Sequence, residues 1–385
     1  MEILEMNNPV NPYKGNNFWK GKKVLITGHT GFKGTWLTLL IQYLGAEIWG
    51  YSLEPKTSKC LFNQLDIFNS TEKIIVDKMH HKIGNINDLN TLKEYLEISN
   101  PDIIFHLAAQ ALVIDSYQDP ISTWETNLIG TLNLMEASKS LKRECALVVI
   151  TTDKVYRNKE SHYQYKESDP LGGHDPYSAS KAALEIAVDS WRKSFCGGSR
   201  NQTRKLAIAT ARAGNVIGGG DWSSNRIIPD TIRALTRQNS IEVRNPSAIR
   251  PWQHVLEPLT GYIVLAEKLY LEQKNKDIST NNTYARSYNF GPEQDSNKSV
   301  KDLINKALEI WPGQWHEKNP NPSSIHEASH LNLASDLAYN LLQWKSNWNF
   351  EKTIERTIRW YKSVEEGSSE ISCCMKDIEN YIESI

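Results

Sequence analysis

The chain has 385 residues, more than one compact core usually holds, so one large domain plus a smaller one is expected. Hydrophobic content of 39% and charged content of 23% exclude a disordered chain, and a net charge of −1 gives no electrostatic footing for nucleic acid or an anionic membrane. No apolar run is long enough to span a bilayer, and the polar stretch from Met1 to Asn17 is not a secretory signal, so the expected compartment is the cytoplasm.

Residues 1–15 read as an extension. Val24 to Thr27 is a short apolar run of the kind found in buried parallel strands. A glycine turn follows, then a helical stretch from Thr35 to Leu44 and a second strand from Glu47 to Tyr51. Further strands are expected at Ile74 to Val76, Ile103 to Leu107, Ala146 to Ile150 and Leu206 to Ala211, with helices at Ile121 to Leu141 and Tyr177 to Phe195. This alternation predicts an α/β fold, a Rossmann-type doubly wound parallel sheet with a smaller C-terminal α/β substrate domain. The first domain spans 16–215, with returning segments near 255–268 and 286–292; the second spans 216–365. The polar segment 366–385 is expected to add little to the core. Cys60, Cys145, Cys196, Cys373 and Cys374 match no zinc or disulfide spacing and are expected as reduced thiols.

Gly28-His29-Thr30-Gly31-Phe32-Lys33-Gly34 spaces three glycines as G-x-x-G-x-x-G between a strand and a helix. Gly28 and Gly31 let the backbone approach a pyrophosphate, Gly34 lets the helix pack on the sheet, and the helix N-terminus offers free N–H donors. Where an acid normally binds the adenosine ribose of NAD, at the end of the second strand, stands Ser52. Its hydroxyl can still bond the ribose, and no Arg beside it welcomes a 2′-phosphate, so NAD is the expected cofactor. Downstream, Tyr177 and Lys181 are one helical turn apart, so the Lys charge can favour a phenolate that serves as a base toward an alcohol. Thr152-Asp153-Lys154 adds a hydroxyl, an acid and an amine, which suggests a second acid–base step.

These motifs resemble the extended short-chain dehydrogenase/reductase superfamily and, within it, the CDP-D-glucose 4,6-dehydratases. The similarity is carried by 28–34, 106–110, 125–127, 152–154, 172–178, 212–222, 250–254 and 326–328, and runs from about residue 16 to 350. It implies that NAD oxidises the C4 hydroxyl of a hexose while Tyr177 takes the proton, assisted by Thr152 and Lys181. The 4-ketone makes the C5 hydrogen acidic. Asp153 is then the acid for the departing C6 hydroxyl, and Lys154 stands where relatives carry a Glu as C5 base. An amine must be neutral to do this, which desolvation and nearby positive charge favour. The resemblance also implies cofactor contacts from Thr30, Phe32, Asn85, Ile86, Ala108 and Ala109. Substrate contacts are expected at Gln110, Asn215, Arg226 and Arg250, the arginines suiting a diphosphate. The family's Pro and Arg near Gln110 are replaced by Ala111 and Ile114.

His326-Glu327-Ala328-Ser329-His330 spells a zinc-protease motif, but two prolines precede it and a strand-like segment follows, so no metal is expected. An epimerase of the same superfamily shares the Tyr–Lys pair but has no need of Asp153 and Lys154. A non-catalytic NAD-binding module needs neither Thr152 nor Tyr177. The helices at 121–141 and 177–195 resemble those that join two subunits as a four-helix bundle, so a homodimer acting on a nucleotide sugar is expected.

Overall fold

Seven parallel strands carry the site: β1 (Lys23–Thr27), β2 (Glu47–Ser52), β3 (Met79–Ile83), β4 (Ile103–His106), β5 (Cys145–Ile150), β6 (Leu206–Ala213) and β7 (Ser287–Phe290). Their order is β7-β6-β5-β4-β1-β2-β3, with every adjacent pair parallel. The computed structural model describes residues 17–55, 57–65, 79–161, 163–196, 205–275, 283–318 and 331–385. The strand order reverses between β1 and β4, which opens a crevice at their carboxyl ends.

Alternate side chains of β1 divide between two cores. Val24 and Ile26 join one face, and Leu25 joins the other with Trp49, Ile104 and Leu147. Burial on both faces explains why β1, β4 and β5 read as nearly continuous apolar runs. The longer helices among the described residues, in chain order, are α1 (Phe32–Tyr43), α2 (Leu89–Ser99), α3 (Gly130–Ser138), α4 (Pro176–Phe195), α5 (Ile227–Thr236), α6 (Leu256–Lys274), α7 (Val300–Ile310), α8 (Phe350–Glu365) and α9 (Glu370–Ser384). Helix α6 packs on β5 and β6, and β7 pairs with β6, so the chain returns to the first sheet after leaving it.

Several expectations need adjustment. The segment Ile74 to Val76 lies outside the described residues; the third strand is Met79–Ile83, whose two His and one Lys suit its place at the sheet edge. The single helix expected at 121–141 is broken into Pro120–Trp124, a π-helical turn Glu125–Ile129, and α3. The wide turn accompanies an inward Asn127, which accepts from the Gln110 N–H (2.9 Å) and donates to Gln110 O (3.1 Å) and Ser180 Oγ (2.9 Å). The largest correction concerns the C-terminal segment. Helix α9 buries Ile371, Cys374, Ile378, Tyr381 and Ile382 in the main core. A buried Ile of this kind contributes roughly 1.5–3 kcal/mol, so the segment stabilises the fold.

Candidate active site

The turn after β1 is built for close backbone approach. Gly28 has φ +76, and a Cβ there would lie 2.6 Å from the Ala108 nitrogen. At Gly34 a Cβ would lie 2.1 Å from the Gly28 oxygen. No side chain caps α1 at Gly31, so the N–H groups of its first turn are left for a ligand. Thr30 and Ser52 share a hydrogen bond of 2.7 Å between hydroxyls, which joins the turn to the end of β2. Asn85 and Ile86 follow β3; the Asn85 carbonyl accepts from Tyr51 Oη (3.0 Å), and Ile86 is buried against Gly130. The Ala108 N–H reaches Thr27 Oγ1 (3.3 Å), and Ala109 continues the same edge of the crevice. Phe32 sets its ring against Gly218, with Cζ 3.4 Å from where a Cβ would stand.

Across the crevice, β5 ends at Ile150 and delivers Thr152 and Asp153, both buried. Thr152 Oγ1 donates to Asp153 Oδ1 at 3.0 Å. Helix α4 begins with Pro176 at its first position and a reciprocal capping box between Asp175 and Ser178, which fixes where Tyr177 starts. One turn later, Lys181 donates to the Ile150 carbonyl at 3.2 Å. Tyr177 and Lys181 therefore share a buried face against the end of β5.

Burial dominates the electrostatics. It pushes the Tyr177 phenol up to about 12, opposed by its hydrogen bond with Thr152 and by the Arg226 charge. It pushes Lys181 down to about 8; Glu185 opposes this and Lys33 adds to it. Asp153 is raised above the usual carboxylate range by burial, against the pull of Lys154, Thr152 and Lys33. Lys154 is half-buried beside Asp153. Burial of the kind that depresses an amine is found at Lys181 and at Lys33, which is pushed down to about 8 by burial and by Arg226.

The substrate candidates are spread along the C-terminal side. Asn215 is exposed just after β6. Arg226 precedes α5 and pairs with Asp221 at 3.0 Å while 37% of its side chain stays exposed. Arg250 lies on the short strand Ile249–Pro251, paired antiparallel with Asn297–Ser299. The segments of Asn215 and Arg250 meet at Gly214, where a Cβ would be 3.0 Å from Asp153 Oδ2 and 3.9 Å from Pro251 Cγ. Gln110 is turned into its own loop: its amide donates to Leu112 O and Thr123 Oγ1, both at 3.0 Å, and accepts from the Leu112 N–H at 2.6 Å.

Three features had no local sequence signal. Lys33, on the first turn of α1, is pushed down by burial and by the Arg226 charge, and the Asp153 charge opposes that shift. Tyr262 of α6 is fully buried, and its hydroxyl is unpartnered among the described residues. Arg212 of β6 pairs with Glu185 of α4, and Glu185 also accepts from Thr151 Oγ1 at 2.6 Å, next to Thr152. The motif from His326 to His330 lies outside the described residues, and among the described residues no cluster of three or more metal-ligating side chains occurs. All five cysteines are unpaired.

Residues 25–357 match the GDP-mannose 4,6 dehydratase family. The chain is 38% identical over 366 residues to the CDP-glucose 4,6-dehydratase of Salmonella typhimurium, covering 95% of this chain and 98% of that one. Identity to the dTDP-glucose 4,6-dehydratase of Haemophilus influenzae is 24% over 365 residues, covering 88% and 97% of the two chains. Among solved structures, the dTDP-glucose 4,6-dehydratase of Bacillus anthracis in complex with NAD superimposes with a TM-score of 0.70 at 18% identity, covering 89% of this chain and 97% of that one. The UDP-glucose 4-epimerase of Thermotoga maritima with UDP-glucose gives 0.69 at 17% identity, covering 89% and 99%. The fold is thus common to dehydratases and epimerases and does not choose between them. The sequence match is nearly full-length: this chain belongs to the GDP-mannose 4,6 dehydratase family, in the extended short-chain dehydrogenase/reductase superfamily.

Proposed function

We propose that this protein is a CDP-glucose 4,6-dehydratase, converting CDP-D-glucose to CDP-4-keto-6-deoxy-D-glucose with loss of water. The observation that carries this reading is the buried Asp153, hydrogen-bonded to Thr152 beside the Tyr177–Lys181 pair. An alcohol-oxidising site gains from a base and a cation; an added buried acid serves to expel a hydroxyl. The choice of CDP follows the nearly full-length similarity to the Salmonella enzyme.

The glycine cradle and the uncapped start of α1 fit a dinucleotide. Gly28, Thr30, Gly31, Phe32, Gly34, Ser52, Asn85, Ile86, Ala108 and Ala109 would hold NAD, with Tyr177 and Lys181 at its nicotinamide end. When bound, NAD supplies a reversible hydride acceptor, so the net reaction consumes no oxidant. Tyr177 Oη takes the proton of the C4 hydroxyl, with Thr152 Oγ1 bonded to the same oxygen and the Lys181 ammonium favouring the phenolate. Once C4 is a ketone, Lys154 Nζ takes the C5 proton. Protonated Asp153 gives its proton to the C6 hydroxyl, which leaves as water; with the hydride taken from C4, which bound NAD would give back to C6, a proton returned to C5 completes the product. Asn215 and Arg250 are assigned to the diphosphate, Arg226 to the sugar or a phosphate, and Gln110 to the sugar-side loop. Residues 16–215 act as the cofactor-binding unit, with segments 255–268 and 286–292 returning to it, and 216–365 as the nucleotide-sugar unit.

Exposed apolar side chains on adjacent helical segments support a homodimer through a four-helix bundle. Ile121 is 67% exposed, Ile129 47% and Ile186 62%, and the segments carrying them pack against one another. Five unpaired thiols favour a reducing, cytoplasmic setting. Incubation with CDP-, UDP-, dTDP- and GDP-glucose tests the reaction. The alkali-sensitive absorbance of a 4-keto product is expected with CDP-glucose. A changed sugar without water loss would make the protein an epimerase, and no change with any of the four would leave a binding module.

A further inference from the structure

A chain of polar side chains runs unbroken through the core from the cofactor turn to the catalytic helix, and His106 stands at its centre. Thr27, His106, Thr131, Asn127 and Ser180 are each no more than 1% exposed. They come from β1, β4, α3, the π-helical turn before α3, and α4. The Ala108 N–H donates to Thr27 Oγ1 at 3.3 Å, and Thr27 Oγ1 lies 2.7 Å from His106 Nδ1. On the far side of the ring, His106 Nε2 lies 2.8 Å from Thr131 Oγ1, which donates to Asn127 O at 2.8 Å. The Asn127 amide donates to Ser180 Oγ at 2.9 Å, and Ser180 Oγ donates to the Tyr177 carbonyl at 2.7 Å.

These bonds fix where each proton lies. A hydroxyl has one proton to give. That of Thr131 goes to a carbonyl, so its contact with His106 requires Nε2 to donate. Thr27 accepts from an N–H, and among the described residues Nδ1 is the acceptor within reach of its own proton. The ring is therefore neutral, with Nδ1 bare. Burial and the Lys181 charge, which together bring His106 down to about 3, agree with that state. Asn127 is saturated as well, its oxygen accepting from the Gln110 N–H and its amide donating to Gln110 O and Ser180 Oγ.

An apolar side chain of similar size would fill this space equally well. A closed polar chain adds direction, because each bond sets a distance and an angle. Its two ends lie at the two halves of the site. Thr27 leads into Gly28, where a Cβ would stand 2.6 Å from the Ala108 nitrogen, so the turn and the Ala108 edge have almost no slack. The other end holds the Gln110 loop and the start of α4, which carries Tyr177 and Lys181. Hydride transfer is steep in this registration: a misplacement of about 1 Å costs ~10²-fold in rate.

We propose that His106 is a positioning residue that keeps the cofactor turn and the catalytic helix in register. Nδ1 anchors Thr27, and Nε2 anchors the start of α4 through Thr131 and Asn127. His106 exchanges no proton and acts through these neighbours. This rests on the NAD-dependent dehydratase reading.

Four variants cut the chain on one side of the ring or the other. His106→Asn keeps an acceptor at the place of Nδ1 and loses the donor toward Thr131; His106→Gln keeps an amide N–H at the place of Nε2 and loses the acceptor toward Thr27. Thr131→Val and Thr27→Val delete the same two bonds from the neighbouring residues, so the comparison does not depend on substitutions at position 106 alone. His106→Asn and Thr131→Val are expected to lose at least ~10-fold in kcat on CDP-glucose, with the NAD Kd from tryptophan fluorescence changed less than about threefold. His106→Gln and Thr27→Val should show the opposite split, a ~10-fold weaker NAD Kd and less than about threefold in kcat at saturating NAD. In the wild type, 15N NMR of the imidazole should show the proton on Nε2. Losses of kcat and NAD affinity that move together in all four variants would make His106 a stabilising core residue and overturn the proposal. A proton on Nδ1 would overturn it too. If the wild type forms no 4-keto product from CDP-glucose, the dehydratase reading falls, and the NAD affinities of the four variants still decide this proposal.

Discussion

Arg212 lies along Glu185 as a two-pronged ion pair, Nη2 to Oε2 at 2.9 Å and Nε to Oε1 at 3.0 Å, with both side chains buried. Glu185 sits one helical turn beyond Lys181 and also accepts from Thr151 and Thr210. Burial alone would raise its pKa, but Arg212 and the two hydroxyls outweigh burial and hold it below the usual range. The pair thus fixes α4 to β6 and to the turn after β5.

Glu185→Gln should therefore affect both stability and pH dependence. Removing one partner leaves a buried guanidinium uncompensated, a loss of about 3–5 kcal/mol by denaturant titration. Glu185 also supports the charged form of Lys181, which burial has already brought down to about 8. Without that carboxylate Lys181 loses its proton at lower pH, so the alkaline limb of kcat should move downward by on the order of one pH unit. A limb that stays in place would show that Glu185 acts on structure alone.

Lys154→Ala should separate the two halves of the reaction. On the proposed mechanism oxidation at C4 rests on Tyr177, Thr152 and Lys181, so it should persist. Product formation should fall by ~10²–10⁴, the range for loss of a general base. NMR in D2O should show no deuterium entering C5. Elimination at the normal rate would remove Lys154 from the mechanism.

Ser52→Asp should tighten NAD binding. The serine hydroxyl ends β2 and bonds Thr30 at 2.7 Å. A carboxylate there can accept from a ribose hydroxyl through a charge-assisted bond, an expected gain of about fivefold in Kd. Tryptophan fluorescence titration reads it directly. An unchanged Kd would place the adenosine ribose elsewhere.

Ile186→Glu combined with Ile121→Glu should yield a monomer in light scattering at micromolar concentration. The two side chains are 62% and 67% exposed, so their replacement should leave the melting temperature of the single chain nearly unchanged. A dimer that persists would move the subunit contact to another face.

The parts of the site legible in the sequence are those set by one short period. Three glycines between a strand and a helix, and a Tyr four residues before a Lys, need only local geometry. The polar strand Met79–Ile83 was hidden because an edge position relaxes the demand for apolar residues. Helix α9 was hidden by its polar average, although Ile371, Cys374, Ile378, Tyr381 and Ile382 follow a helical spacing. Asp153 and Gly214, where a Cβ would lie 3.0 Å from Asp153 Oδ2, meet across an interval that no local pattern encodes. The same holds for Arg212 and Glu185, which come from different layers of the fold.

The return of α6 and β7 to the first sheet bears on any attempt to re-engineer specificity. A chimera made by one crossover near residue 215 would join α6 and β7 of one parent to β5 and β6 of the other. The interface most in need of matched packing would then be the one scrambled. Recombination between relatives should succeed only with paired breakpoints that transplant the intervening loops and leave both returning segments with their native sheet.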